Sequence, residues 1–173
     1  MLEDALPGVR ASRRRGSALR YREAMMKSGV ELPDDGPCAF CAYIRGERPY
    51  TILFKTAETA TLVTREQKGE PHLLVVPLRH VPTILDLSDT EAASLAIAVR
   101  VAAQAIDRAY SKPGIAVWQN NGVPAGQKIS HVHFHVAGTS VGIEAESQSV
   151  EELSLSETDA IARKLRLSDH SAA

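Results

Sequence analysis

Three histidines occupy alternate positions in His131-Val132-His133-Phe134-His135-Val136. In an extended strand successive side chains point to opposite faces, so the imidazoles share one face and Val132, Phe134 and Val136 share the other. Same-face neighbours stand about 6.5–7 Å apart, close enough for all three to act on one small substrate group. As a helix the same residues scatter around the cylinder and bury nothing coherently. Half of the chain's six histidines fall on this one face. The pattern predicts a half-buried strand whose polar side does chemistry.

Just upstream runs Asn120-Asn121-Gly122-Val123-Pro124-Ala125-Gly126-Gln127-Lys128, a loop with two glycines and several amide side chains. Glycine lets backbone N–H groups approach an anion, and Asn and Gln amides can donate to phosphate oxygens. The only two cysteines lie in Cys38-Ala39-Phe40-Cys41. Two thiolates with two imidazoles make a closed tetrahedral zinc site, and with no second cysteine pair the histidines must complete it. His72, His80 and the triad are the candidates. A thioredoxin-like redox role is the rival, but the flanking sequence leads into no βαβ unit. Trp118 and Tyr43 read as packing residues.

The elements that must position these groups follow from pattern. Tyr50 to Phe54 and Thr59 to Thr64 read as strands about a short turn, Arg65 to Pro71 as a polar loop, and His72 to Pro77 as an apolar strand. Ser88-Asp89-Thr90-Glu91 is a capping box. Behind it Leu95, Val99, Ala102, Ala103, Ile106 and Tyr110 recur at helical spacing. Lys112-Pro113-Gly114 stops that helix, and Ile115 to Gln119 reads as a further strand. Strands gathered around one long helix predict an α+β fold, with a mainly antiparallel sheet of about five strands and one or more short helices.

Three segments are expected. Residues 1–36 form a basic extension with a short helix from Ser17 to Lys27, closed by Pro33 and Pro37, which forbid its continuation. Residues 37–138 form the catalytic body. Residues 139–173 are polar and acidic, with a short helix at 157–166 and a frayed end. Residues 1–30 carry seven Arg or Lys against three acids, and residues 139–173 carry seven acids against three bases.

The whole chain is close to neutral, at −1, which gives no global attraction to nucleic acid or an anionic membrane. Arg13-Arg14-Arg15 reads as a solvated face. No stretch approaches the roughly 18 apolar residues of a transmembrane helix, and Met1 is not followed by a secretory n-region and h-region. A cytoplasmic setting is expected, where a cysteine pair more often binds metal than forms a structural disulfide.

Taken together, four separated stretches resemble the histidine triad family of nucleotide hydrolases and transferases. They are His131 to Ala137; Cys38-Ala39-Phe40-Cys41 with Ile44-Arg45-Gly46-Glu47; His72-Leu73-Leu74-Val75-Val76-Pro77 with His80; and Asn120-Asn121-Gly122 with Ala125-Gly126-Gln127. The resemblance covers roughly residues 38–138. It implies a HIT-like α+β fold, a homodimer, and attack by His133 on the α-phosphate of a nucleoside phosphoramidate or dinucleoside polyphosphate. A nucleotidyl-histidine intermediate would then be hydrolysed by water. Neutral imidazole suits this role near pH 7, provided its second nitrogen has an acceptor to fix the tautomer.

The resemblance places His135 and His72 beside His133 in the catalytic set. It places substrate contacts at Thr64, Arg65, Asn120, Gly126, Gln127 and Lys128, with His133 and His135. In zinc-containing bacterial members the metal is structural, and the matching ligands are Cys38, Cys41, His80 and His131. Two positions depart from the pattern: Thr64 stands where an Asp usually accepts the ribose hydroxyls, and Lys128 where Ser or Thr is common. The rival readings are a zinc hydrolase with metal on the triad histidines and a bound water as nucleophile, and a non-catalytic nucleotide-binding protein.

Overall fold

A computed structural model describes residues 29–34, 36–139 and 152–169. The expected helix at Ser17 to Lys27 lies outside these residues. In chain order the elements are α1 (Ala39–Arg45), β1 (Ile52–Lys55), β2 (Thr59–Val63), β3 (His72–Pro77), α2 (Asp89–Tyr110), β4 (Gly114–Gln119), β5 (Phe134–Thr139) and α3 (Leu155–Asp169). Short 3-10 turns at Ile84–Asp86 and Val123–Ala125 precede α2 and follow β4. The five strands form one antiparallel sheet in the order β1-β2-β3-β5-β4.

The sheet has two different faces. On one, Leu53, Val63, Leu73, Val75 and Val136 pack against Leu95, Ala102, Ala105 and Ile106 of α2 and Ala162 and Leu165 of α3. On the other, Ala60, Leu62, Leu74 and Val76 pack beneath Phe40 of α1. The central strands β2 and β3 are therefore buried throughout, which is why β3 reads as an unbroken apolar run.

Helix α2 opens on the capping box: Ser88 Oγ accepts from the Glu91 N–H, and a Glu91 carboxylate oxygen accepts from the Ser88 N–H. It ends at Ser111, in left-handed geometry, ahead of Pro113. Helix α3 begins two residues before the expected start at 157. Ser154 and Glu157 form a second reciprocal cap there, which satisfies N–H groups the first turn would leave unpaired. Thr51 donates to the Asp159 carboxylate and meets the Thr158 hydroxyl, tying α3 to the start of β1.

The histidine segment differs from a single uninterrupted strand. Ladder pairing starts only at Phe134, opposite Val75 and Gln119. Before it the chain leaves the sheet, and the Val132 N–H finds the Val81 carbonyl instead of a strand partner. The alternation of faces persists: Val132 is fully buried, and the three imidazoles lie on the side of Phe40.

Candidate active site and metal cluster

Strand register assembles the histidines. His135 stands opposite Leu74 of β3 on one side and Trp118 of β4 on the other. His72 pairs with Ala137, which makes it the diagonal neighbour of His135 on the same face. The result is a hydrogen bond of 2.9 Å between His72 Nε2 and His135 Nδ1. His133 follows, its ring 4.9 Å from His135 and 5.1 Å from Phe40. Phe40 separates it from His131, whose ring stands 5.8 Å away and faces His80 at 5.2 Å.

Carbonyl oxygens can only accept, so they fix the tautomers. His133 Nδ1 lies 2.7 Å from the His131 carbonyl and must donate to it, which leaves Nε2 with its lone pair. Two backbone groups approach His72 Nδ1: the Glu66 carbonyl at 2.9 Å and the Lys68 N–H at 3.2 Å. The carbonyl is nearer and sets the proton on Nδ1. His72 Nε2 then accepts from His135 Nδ1–H, and His135 Nε2 keeps its lone pair. Burial holds all three rings neutral, pushing His72 down to about 4 and His135 to about 2, and lowering His133.

A cleft of about 410 Å³ opens beside these rings. Phe40, Tyr43 and Tyr50 form an aromatic wall, with Tyr43 stacked on Tyr50 at 4.1 Å and the Arg48 guanidinium 5.3 Å from the Tyr43 ring centre. Thr64, Arg65, Lys68, His72 and His135 line the far side. Thr64 is buried, and beside it the Tyr50 hydroxyl accepts the Arg65 N–H at 3.3 Å. The Arg65 guanidinium reaches the other way, donating to the Leu153 carbonyl at 2.7 Å and pairing with Glu152 at 3.2 Å.

Of the expected substrate contacts, Thr64, Arg65 and His135 line this cleft, whereas His133, Asn120, Gly126, Gln127 and Lys128 do not; His133 is buried with its ring against His135, which does line it. Gln127 is buried in the loop itself. It accepts the Gly122 N–H and donates to the Pro82 and Ile129 carbonyls, so it holds the segment that delivers His131 and His133. Lys128 is exposed.

The remaining histidines gather elsewhere. One ligand atom each from Cys38, Cys41, His80 and His131 lies within 4.8 Å of the others. His131 Nδ1 stands 3.3 Å from Cys38 Sγ and 3.6 Å from Cys41 Sγ, and His80 Nδ1 stands 3.5 Å from Cys41 Sγ. These are about the edges of a tetrahedron with metal–ligand bonds near 2.0–2.3 Å. His131 Nε2 donates to the Pro77 carbonyl at 3.1 Å, which frees Nδ1 for the metal. Burial, and then the adjacent Cys38, push the Cys41 thiol up to about 11; a cation between the sulfurs reverses that. His72, a candidate ligand on composition, bonds to His135 instead.

Three residues around the triad carry no signal in the linear pattern. Trp118, read as packing, lies parallel to His135 at 4.6 Å and tilted to His72 at 5.2 Å. Lys68 enters the cleft, and Tyr50 forms part of its wall. Each becomes visible only once strand register and loop path are known.

Comparison with known proteins bears on the family and the fold. The sequence model of the HIT domain matches residues 45–141, more than half of the chain. An adenylylsulfatase of Arabidopsis thaliana is 30% identical over 99 residues, which is 57% of this chain and 50% of that protein; this chain thus spans about half of that relative's length. An adenosine 5′-monophosphoramidase of Schizosaccharomyces pombe is 31% identical over 99 residues, covering 57% of this chain and 71% of the relative. Among solved structures, a Zn-bound histidine triad family protein from Mycobacterium smegmatis superposes with a TM-score of 0.67 at 22% identity, over 78% of this chain and 97% of that one.

Proposed function

The chain belongs to the HIT domain family, and from that premise we propose that it is a nucleotidyl hydrolase or transferase using His133 as nucleophile. The observation that carries this reading is the clamp on His133. Its Nδ1–H is spent on the His131 carbonyl, and its ring is neutral, so Nε2 offers an unprotonated lone pair without a general base. In the proposed reaction Nε2 bonds to the α-phosphorus and the bond to the leaving group breaks. Water then cleaves the phosphorus–nitrogen bond, releasing the mononucleotide and restoring His133. His135, anchored through His72 to the Glu66 carbonyl, offers its Nε2 lone pair as acceptor to the water that cleaves the intermediate. The aromatic wall receives the base, and Thr64 and Arg65 lie toward the ribose.

The substrate class is an adenylyl or related nucleotidyl compound: a phosphoramidate, a phosphosulfate or a dinucleoside polyphosphate. The names of the plant and yeast relatives support the phosphosulfate and the phosphoramidate. Zinc is proposed for the Cys38, Cys41, His80 and His131 cluster, in a structural role, since all four positions are filled by protein and none opens to substrate. Of the triad only His131 joins that cluster, which favours this reading over a zinc hydrolase with metal on His133 and His135. No helix among the described residues is long and apolar enough to cross a membrane. A cytoplasmic homodimer completes the proposal.

The test is His133→Asn. Turnover of adenosine phosphoramidate is expected to fall roughly 10³-fold or more, with circular dichroism unchanged. Acid-labile labelling of the protein by α-phosphate-labelled substrate is expected in the wild type and not in the variant. Labelling that survives the substitution overturns the assignment.

A further inference from the structure

The loop between β2 and β3 is fixed at several points, and one charged side chain on it has no ion-pair partner among the described residues. Gln67 donates to the Thr64 and His72 carbonyls and accepts the His72 N–H, stapling the loop across the base of β3. Glu66 gives its carbonyl to His72 Nδ1. Gly69, at φ +153, lies so close to β5 that a Cβ there would stand 2.7 Å from the Gly138 oxygen and 2.9 Å from the Ala137 Cβ. The Glu70 N–H donates to that same Gly138 oxygen at 2.9 Å. Between these anchors sits Lys68, its backbone N–H 3.2 Å from His72 Nδ1 and its side chain lining the cleft with His72 and His135. Among the described residues it has no carboxylate partner within ion-pair distance.

The other cations of the cleft are engaged. Arg65 holds Glu152 and the Leu153 carbonyl, and Arg48 lies over Tyr43. His72 and His135, hydrogen-bonded ring to ring and buried, are neutral. Among the described residues Lys68 is thus the cation beside His72 and His135 that no carboxylate pairs, and its charge adds to the burial that disfavours protonation of both rings. A preorganised cation acts most strongly where negative charge develops.

We infer that Lys68, presented beside the His72–His135 pair by the stapled loop, selects substrates whose leaving group departs as an anion over those that release an amine. This rests on the reading of His133 as nucleophile, next to His135 at the edge of this cleft. With a nucleoside 5′-phosphosulfate, the His133 Nε2–phosphorus bond forms and the phosphorus–oxygen bond breaks. The electron pair stays on sulfate, which needs a cation and no proton. A polyphosphate leaves in the same manner. With a phosphoramidate the departing nitrogen must take a proton, which an ammonium beside two neutral imidazoles does little to supply.

The experiment compares kcat/KM for adenosine 5′-phosphosulfate and adenosine 5′-phosphoramidate in wild type, Lys68→Met and Lys68→Arg. Methionine keeps most of the length of the side chain without its charge. The sulfate-to-amidate ratio is expected to fall about tenfold in Lys68→Met and to recover in Lys68→Arg. Raising ionic strength is expected to lower that ratio in wild type and to leave it flat in Lys68→Met. A ratio unchanged by Lys68→Met overturns the inference while leaving His133 untouched. Turnover of neither compound by the wild type, or turnover that persists in His133→Asn, overturns both the inference and the reading beneath it.

Discussion

His135 is oriented from three sides, and each contact comes from a different strand or segment. His72 of β3 takes its Nδ1–H, His133 meets its edge, and Trp118 of β4 covers its face at an interplanar angle of 1°. Trp118 does not line the cleft, so its effect on chemistry runs through the imidazole it covers. A stacked aromatic pair is worth about 0.5–1.5 kcal/mol beyond the area it buries. If that energy serves mainly to hold His135 in place, losing it costs up to about tenfold in rate. Trp118→Leu is therefore expected to lower kcat up to about tenfold with KM little changed, and Trp118→Phe to retain most of the rate. Steady-state kinetics of the two variants decide it: a rise in KM at constant kcat makes Trp118 a binding surface instead. Trp118 is also the chain's only tryptophan, so its emission reports on this one site.

Helix α1 carries the largest gap between what pattern reveals and what the fold contains. It has seven residues, its N-cap Cys38 makes no side-chain cap, and Pro37 before it reads as linker. A helix of that length does not stand alone in water. What holds it is Phe40 buried against β2 and β3, Gly46 closing the C-terminus in left-handed geometry, and the two cysteines turned toward His80 and His131. The linear sequence displays β3 and α2 plainly, because an unbroken apolar run and a capping box with a periodic stripe are local signals. The triad is legible for the same reason, as is the cysteine pair. The His72–His135 bond is not, since it depends on the register between β3 and β5. Nor is Lys68, which depends on how Gln67 and Gly69 fold one loop. Metal held by the native cluster should stabilise the fold with the logarithm of its free concentration over the dissociation constant. Zinc at a thousandfold its dissociation constant contributes about 4 kcal/mol. Removing it with a chelator is expected to lower Tm by roughly 10 °C, with His80→Ala reproducing the loss. Calorimetry with and without chelator measures this, and an unchanged Tm in protein shown by elemental analysis to have lost zinc refutes the structural role.

Across the whole molecule, one face of the sheet is closed by α2 and α3 while the other sinks neutral imidazoles between apolar walls. That arrangement supplies unprotonated nitrogen at neutral pH, and it ties stability to acid. An unfolded histidine titrates near 6.5, whereas folded His72 titrates at about 4 and His135 at about 2, both because burial disfavours the cation. Below 6.5 the unfolded chain takes up protons that the folded chain refuses. The contribution of the two rings is therefore complete above that pH and is lost as pH falls toward the folded values. Each contributes a slope approaching about 1.4 kcal/mol per pH unit. Carboxylates titrate mostly below this region, so pH 5 to 6.5 isolates the histidines. The cysteine–histidine cluster is common to wild type and to His72→Gln, so its own response to pH cancels in the comparison. We expect urea unfolding of His72→Gln to show a shallower decline over pH 6.5 to 5, by about one proton's share, whatever its stability at pH 7. Equal slopes in the two proteins would mean that His72 is already charged in the folded state, and the tautomer chain from Glu66 through His72 to His135 would have to be redrawn.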